Sequence, residues 1–246
     1  MYSPLSQFDV VSIIPIYFVS MGMDLSISNL VLTLMLGLFL GILFLNGFVF
    51  TYLIPYNWQI FIEILFMFVF RILYEQAGKN GILYFPFIFA LFSFILIFNL
   101  LGLLPFSFAV TSHLIWVLYF STSICLGIFF LGIFRYQLKF LKLFVPQVPF
   151  LLYPLMIFLE IASYIIRSFS LGIRLSANII AGHILVHIIA AVVYALCNIR
   201  YFLVLLPLAL LIAIFVLEIG VACLQAYIFT ILVCMYLNDS VNLVSH

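Results

Sequence analysis

Apolar residues run through this chain in long, nearly charge-free stretches, and short polar breaks divide them. Residues 1–25 are mixed, with Pro4, Asp9, Pro15 and Asp24, and are expected at a surface. The uncharged run that follows is long enough to cross a bilayer at about 1.5 Å per residue, which predicts a first transmembrane helix over 26–53. Pro55-Tyr56-Asn57-Trp58 reads as an interfacial turn, with the indole of Trp58 suited to the headgroup level. Over 58–78, Gln59, Glu63, Arg71 and Glu75 gather broadly on one side of an otherwise apolar helix. That pattern fits an amphipathic helix lying in the interface, with a spanning helix charged at its ends as the alternative. No charge occurs between Lys79 and Arg135, so 85–135 is predicted as a transmembrane hairpin. Its arms are 85–104 and 114–134, and it turns at Pro105 and Thr111-Ser112-His113. Arg135, Lys139 and Lys142 form a basic cluster just beyond, which by the positive-inside rule faces the compartment of synthesis.

The last hundred residues depart from this rhythm. No proline lies between Pro154 and Pro207, and none follows Leu208. A single helix over 147–197 would be about 75 Å long, against a hydrocarbon core about 30 Å thick. It must tilt strongly, lie nearly flat, or break into two upright spans near Gly172 or Gly182. A second long helix is predicted over 200–240. Polar residues recur along the first at a spacing of seven, as Glu160, Arg167 and Arg174, with Ser163, Ser170 and Asn178 near the same face. Seven residues are almost two turns, so these groups share one stripe. Glu218, Gln225 and Asp239 repeat the pattern on the second helix, with Leu232 filling the gap. Two such stripes in one membrane are expected to face each other or a water-filled path.

Composition agrees with the pattern. The chain is 69% hydrophobic and 6% charged, where a soluble domain carries about 25% charged residues. This is an all-α integral membrane protein by expectation, a single membrane domain over 1–246. A net charge of +1 without a basic patch gives no reason to expect nucleic acid. The four cysteines sit in apolar runs without metal-ligand spacing and read as small buried hydrophobes. The first residues do not read as a positively charged segment followed by a cleavage site, so neither a secretory signal nor an Arg-rich transit peptide is expected. No Gly-rich phosphate loop with a lysine occurs, so no nucleotide site is expected.

Most of these polar groups also have a bland reading. Glu160 could be a terminal charge snorkelling to the interface, Asp239 a solvated C-terminal group, Arg167 an interface anchor, and Asn178 and Gln225 interhelical hydrogen-bond partners. His183 and His187, four apart on one face, suit proton relay because imidazole titrates near neutral pH. The same spacing suits a single metal ion such as zinc, with Glu218 as a third ligand. A bound lipid such as cardiolipin is compatible with a chain of this kind. Arg174 admits no bland reading. Arginine keeps its charge at any physiological pH, and at membrane depth it costs about 3 kcal/mol on insertion scales. No Asp or Glu lies between Glu160 and Glu218. Its carboxylate partner must therefore come from a distant residue or another subunit.

The run Ser170-Leu171-Gly172-Ile173-Arg174-Leu175-Ser176-Ala177-Asn178-Ile179-Ile180-Ala181-Gly182-His183 resembles subunit a of the rotary F-type ATP synthases. So do Glu218-Ile219-Gly220-Val221-Ala222-Cys223-Leu224-Gln225-Ala226-Tyr227-Ile228-Phe229, Asn99-Leu100-Leu101-Gly102-Leu103-Leu104-Pro105, Thr111-Ser112-His113-Leu114, Tyr84-Phe85-Pro86-Phe87 and the segment 55–59. The motifs come in order over nearly the whole chain, and pairing His183 with Glu218 resembles the mitochondrial members. Phe134-Arg135-Tyr136-Gln137 departs from the family pattern.

The resemblance implies that the last two helices form a long, strongly tilted hairpin packed on a ring of c subunits, whose carboxylates supply the partner of Arg174. It implies a non-catalytic, proton-conducting subunit of the ATP synthase in the mitochondrial inner membrane, alongside the peripheral stalk and the other membrane subunits. Glu218, His183, Asn178 and Gln225, with His187 and Asn99 as neighbours, are then assigned to a half-channel on the intermembrane-space side. Glu160, Asp239 and Ser163 are assigned to a half-channel on the matrix side. Arg174 separates the two. Two other readings compete. A proton-coupled secondary transporter would normally show inverted repeats, and no internal repeat is evident. A purely structural membrane subunit would leave Arg174 without a purpose.

Overall fold

The computed structural model describes residues 8–15, 17–18, 23–24, 26–46, 56–104, 108–137, 140, 152–197 and 204–242. Pro55, Pro105, Lys139, Lys142, Arg200, the expected end of the first span past 46 and the expected starts of the two long helices lie outside these residues. Among the described residues there are six α-helices: α1 (Asn29–Asn46), α2 (Asn57–Gly81), α3 (Phe85–Gly102), α4 (Leu114–Tyr136), α5 (Tyr153–Cys197) and α6 (Leu205–Val241). Ahead of them, short strands β1 (Ser12–Ile14) and β4 (Ile27–Ser28) pair antiparallel, as do β2 (Tyr17–Phe18) and β3 (Met23–Asp24). Among the described residues these ladders qualify the all-helical expectation, and only in the N-terminal segment.

Proline placement explains where three helices begin. Pro86, Pro154 and Pro207 each fall in the first turn of α3, α5 and α6. There the missing N–H has no intrahelical acceptor to lose, and the fixed φ is already helical. With no proline further in, α5 runs unbroken for 45 residues and α6 for 37. Gly172 and Gly182, the two candidate break points, are helical. Among the described residues, four segments are long and apolar enough to cross a membrane: Asn57–Gly102, Leu114–Tyr136, Tyr153–Cys197 and Leu205–Val241. Their surfaces bear side chains such as Phe134 and Leu206, which are 85% and 83% exposed. In water this would be an aggregating surface; in a bilayer it faces lipid or partner helices. The chain is a multi-pass membrane protein.

The helices are shared between two compact units. One comprises Met1–Phe44, Phe94–Leu114 and Leu175–Gln225. In it Asn29 fastens the N-terminal strand to α1: its Nδ2 donates to the Asp9 carbonyl (3.1 Å), and its Oδ1 accepts from the backbone N–H of Val11 (3.2 Å) and Leu30 (2.9 Å). Phe98 of α3 is buried with Phe108 and Val110, and Leu30, Leu34 and Phe94 pack around them. A Cβ at Gly37 would run into the Phe98 ring, so this glycine lets α1 approach α3.

The other unit comprises Leu45–Ser93, Ile115–Arg174 and Ala226–His246. Ile62, Val69, Ile72, Leu73 and Ala77 make the buried stripe of α2, and Phe66 meets Phe85 with ring centroids 4.5 Å apart. The close of α6 is tied down by asparagines. Asn80 Nδ2 donates to Asn242 Oδ1 at 2.8 Å, and Asn242 Nδ2 donates to the Ala77 carbonyl at 2.9 Å and to Asn238 Oδ1 at 2.8 Å. The Tyr136 hydroxyl, at the end of α4, donates to the Val241 carbonyl.

Candidate functional site

In the first unit, α3, α5 and α6 enclose a cavity of about 380 Å³. Most of its wall is aliphatic. Asn99, Asn178, Glu218 and Gln225 supply its polar groups. Spacing explains the convergence: Asn178 and Gly182 lie one turn apart on α5, and Glu218 and Gln225 two turns apart on α6. Asn99 reaches from α3 and donates its Nδ2 to the Ala222 carbonyl at 3.4 Å. Gly182 makes room for the acid, because a Cβ there would stand 2.7 Å from Glu218 Oε1. Asn99 Oδ1, Glu218 Oε1 and Gln225 Nε2 are buried with no protein hydrogen-bond partner. Such atoms are expensive to bury dry, at about 1–3 kcal/mol each. Three on one cavity therefore favour a hydrated space. A carboxylate among donors and acceptors can take up and pass on a proton.

His183 stands beside this cavity and is not part of its lining. Its ring hydrogen-bonds the Gly102 backbone, and Phe8 meets it edge-on at 5.9 Å. Its Nε2 is buried without a protein partner. His187, one turn on, is exposed. Among the described residues no three His, Cys, Asp or Glu side chains come together as a metal cluster, so the trio of His183, His187 and Glu218 does not assemble. Glu218 is turned toward Gly182 instead.

The second unit holds the other predicted polar residues. Glu160, Ser163 and Arg167 are exposed along α5, and Asp239 is half-buried on α6. Asp239 interacts electrostatically with both Arg167 and Glu160. Two tyrosines that sequence reasoning missed organise the group. The Arg167 guanidinium lies 5.8 Å from the centre of the Tyr236 ring, a cation–π arrangement. Tyr236 packs edge-on against Tyr164 at 4.8 Å and donates its hydroxyl to the Tyr164 carbonyl at 3.5 Å. Tyr164 lies four and Tyr236 three residues from a predicted charged residue. That helical spacing was the available signal, although aromatic residues are too common in this chain for it to stand out.

Arg174 is exposed. The ion pair among the described residues is Arg71–Glu75 at 3.8 Å, and Arg174 makes none. The buried stripe of α5 here is Leu171, Gly172, Leu175, Ser176 and Ile179, so Arg174 projects from the opposite side. Gly172 packs against α4, where a Cβ would stand 2.7 Å from Ser121 Oγ. The chain therefore offers a cation on an open helix face, with no carboxylate paired to it among the described residues.

The family model described as ATP synthase A chain matches residues 29–238. The chain is similar to the ATP synthase subunit a of Chondrus crispus, at 41% identity covering 98% of this chain and 96% of that one. It is similar to the subunit a of Marchantia polymorpha at 41% identity, covering 98% of each chain. It is also similar to that of Emericella nidulans at 42% identity, covering 98% of this chain and 96% of the relative.

Proposed function

This chain belongs to the ATP synthase A chain family, and from that premise we propose that it is the proton-translocating stator subunit of the enzyme's membrane sector. It sits in the mitochondrial inner membrane beside a ring of c subunits and the other ATP synthase subunits. Helices α5 and α6 form a strongly tilted hairpin against that ring. The length of α5 supports the tilt: 45 residues make about 68 Å of helix against about 30 Å of hydrocarbon. Helix α2 lies in the interface, which accommodates Glu63, Arg71, Glu75 and Lys79 without burying charge in lipid.

Protons enter from the intermembrane space through the space walled by Asn99, Asn178, Glu218 and Gln225, with His183 and His187 at its margin. A ring carboxylate takes the proton, becomes neutral, and can then travel through lipid. After nearly a full turn it releases the proton into the matrix half-channel of Glu160, Ser163 and Asp239. Arg174 acts between these events. Its charge favours the ionised form of the carboxylate that faces it, and it is an electrostatic barrier to a proton crossing directly between the half-channels. The cavity whose three buried polar atoms lack protein partners is the observation that carries this reading.

The test is Arg174→Ala in the assembled complex. Proton-driven ATP synthesis is expected to be lost while the complex still forms, and Arg174→Lys should restore little, because lysine can lose its proton in a low-dielectric setting. Coupled synthesis retained by the alanine variant overturns the assignment. A cryo-EM map of the native complex provides a second check: Arg174 is expected opposite the ring carboxylates, and an acid of this same chain paired with it would favour a secondary transporter.

A further inference from the structure

The turn Thr111-Ser112-His113 lies between α3 and α4, and the proton path proposed above does not use it. Its backbone is well satisfied. The N–H groups of Ser112 and His113 donate to the carbonyls of Ala109 (3.1 Å) and Val110 (3.2 Å), and Ser112 Oγ donates to the Ala109 carbonyl at 2.6 Å. Ser176 of α5, fully buried, donates its Oγ to the Ser112 carbonyl at 2.8 Å and holds the turn against that helix. Two side-chain atoms escape this satisfaction. Thr111 Oγ1 and His113 Nε2 are buried with no protein hydrogen-bond partner.

These two atoms have company. The position of a Cβ on Gly102 lies 3.6 Å from Thr111 Oγ1, and the Gly102 backbone is also the hydrogen-bonding partner of His183. Thr111 and His183 therefore both meet the Gly102 residue, and each presents a buried polar atom without a partner. Three residues back along α3 stands Asn99, whose Oδ1 is in the same condition on the cavity wall. An isolated unsatisfied atom could be a local accident of packing. Asn99, Thr111, His113, His183, Glu218 and Gln225 all belong to one compact unit, and a common solvating chain is the economical explanation. Buried waters typically make about three hydrogen bonds to such groups.

We infer that the Thr111-Ser112-His113 turn is a hydrated station of the intermembrane-side half-channel, with Thr111 Oγ1 and His113 Nε2 anchoring water that continues the path past Gly102 and His183. This rests on the half-channel reading. Ser112 and Ser176 have the structural role of fixing the turn. Thr111 and His113 are positioning residues that act through water.

The test uses pairs of variants in the assembled complex, read as proton-driven ATP synthesis per assembled enzyme. His113→Phe preserves a flat ring for packing on Phe108, whose centroid is 5.1 Å away, but removes the polar atom. Thr111→Val keeps the branched shape without the hydroxyl. Each is expected to slow synthesis roughly tenfold, while His113→Gln and Thr111→Ser stay within about twofold because they can still anchor water. A merely structural role predicts the reverse order, with the shape-preserving variants active and the polar ones impaired; that order, or equal activity throughout, overturns the inference. Should a His113 variant fail to assemble, the Thr111 pair carries the same contrast. A high-resolution map of the intact complex supplies a second readout, since a protein group from another subunit seated on His113 Nε2 overturns the inference as well. Glu218→Gln is the control. If it abolishes synthesis and His113→Phe does not slow it, only the hydrated turn is wrong; if it leaves synthesis intact, the half-channel reading itself fails.

Discussion

Gly182 matters for the atoms it lacks. A methyl group there would stand 2.7 Å from Glu218 Oε1, closer than any carbon–oxygen contact allows, so Gly182→Ala must displace the carboxylate. Alanine is the better helix former by about 1 kcal/mol, so the substitution should not weaken α5 itself. The expected result is a complex that assembles normally and synthesises ATP at least roughly tenfold more slowly under a proton gradient; an unchanged rate would show that the position of Glu218 is not critical. Glu218→Gln keeps the shape and removes the proton-carrying group, and abolished synthesis is its expected outcome. The two residues were not equally legible. An acid flanked by apolar neighbours stands out in any sequence. The reason for a glycine thirty-six positions earlier appears only when α5 and α6 are placed together. The unassembled histidine–glutamate trio has the same cause: spacing put His183 and His187 on one helix face, but it could not give the direction in which Glu218 points.

Among the elements, the long helices were legible through an absence, since no proline interrupts α5 or α6 beyond its first turn. Whether α5 breaks at a glycine was not legible. Glycine weakens a helix slightly in isolation, yet Gly172 lies close to Ser121 and Leu118 of α4, where tight packing uses its missing side chain. Gly172→Leu should therefore separate α5 from α4 and lower the amount of assembled complex, measurable on a native gel. The asparagine cluster at the close of α6 was invisible in the sequence because Asn80 lies 162 positions from Asn242. Asn242→Ala removes the bonds to Asn80, to Asn238 and to the Ala77 carbonyl. Polar contacts within membrane proteins average about 0.6 kcal/mol, so a loss of about 2 kcal/mol is expected, seen as a lower unfolding temperature of the purified complex. An unshifted transition would mean that water replaces all three bonds at no cost.

Across the whole molecule, the polar groups assigned to the two half-channels fall in different compact units. Asn99, Asn178, His183, Glu218 and Gln225 belong to one, and Glu160, Ser163, Arg167 and Asp239 to the other; the division cuts α5 between Arg174 and Leu175 and α6 between Gln225 and Ala226. The seven-residue spacing exposed each stripe but not this partition, because a stripe is a property of one helix and the grouping depends on which helices meet. The tyrosines behind Arg167 were hidden for the same reason. If the two groups serve separate aqueous paths, their accessibility must differ by side. With Cys125, Cys197, Cys223 and Cys234 replaced, Asn178→Cys and Ser163→Cys give single thiols in the two units. A membrane-impermeant thiol reagent is expected to reach position 178 from the intermembrane-space side and position 163 from the matrix side, because a charged reagent follows water and not lipid. Modification of both from one side would mean a single continuous pore. A continuous pore would dissipate the gradient that drives the enzyme, so that result would overturn the separation assigned to Arg174 whatever its charge does locally.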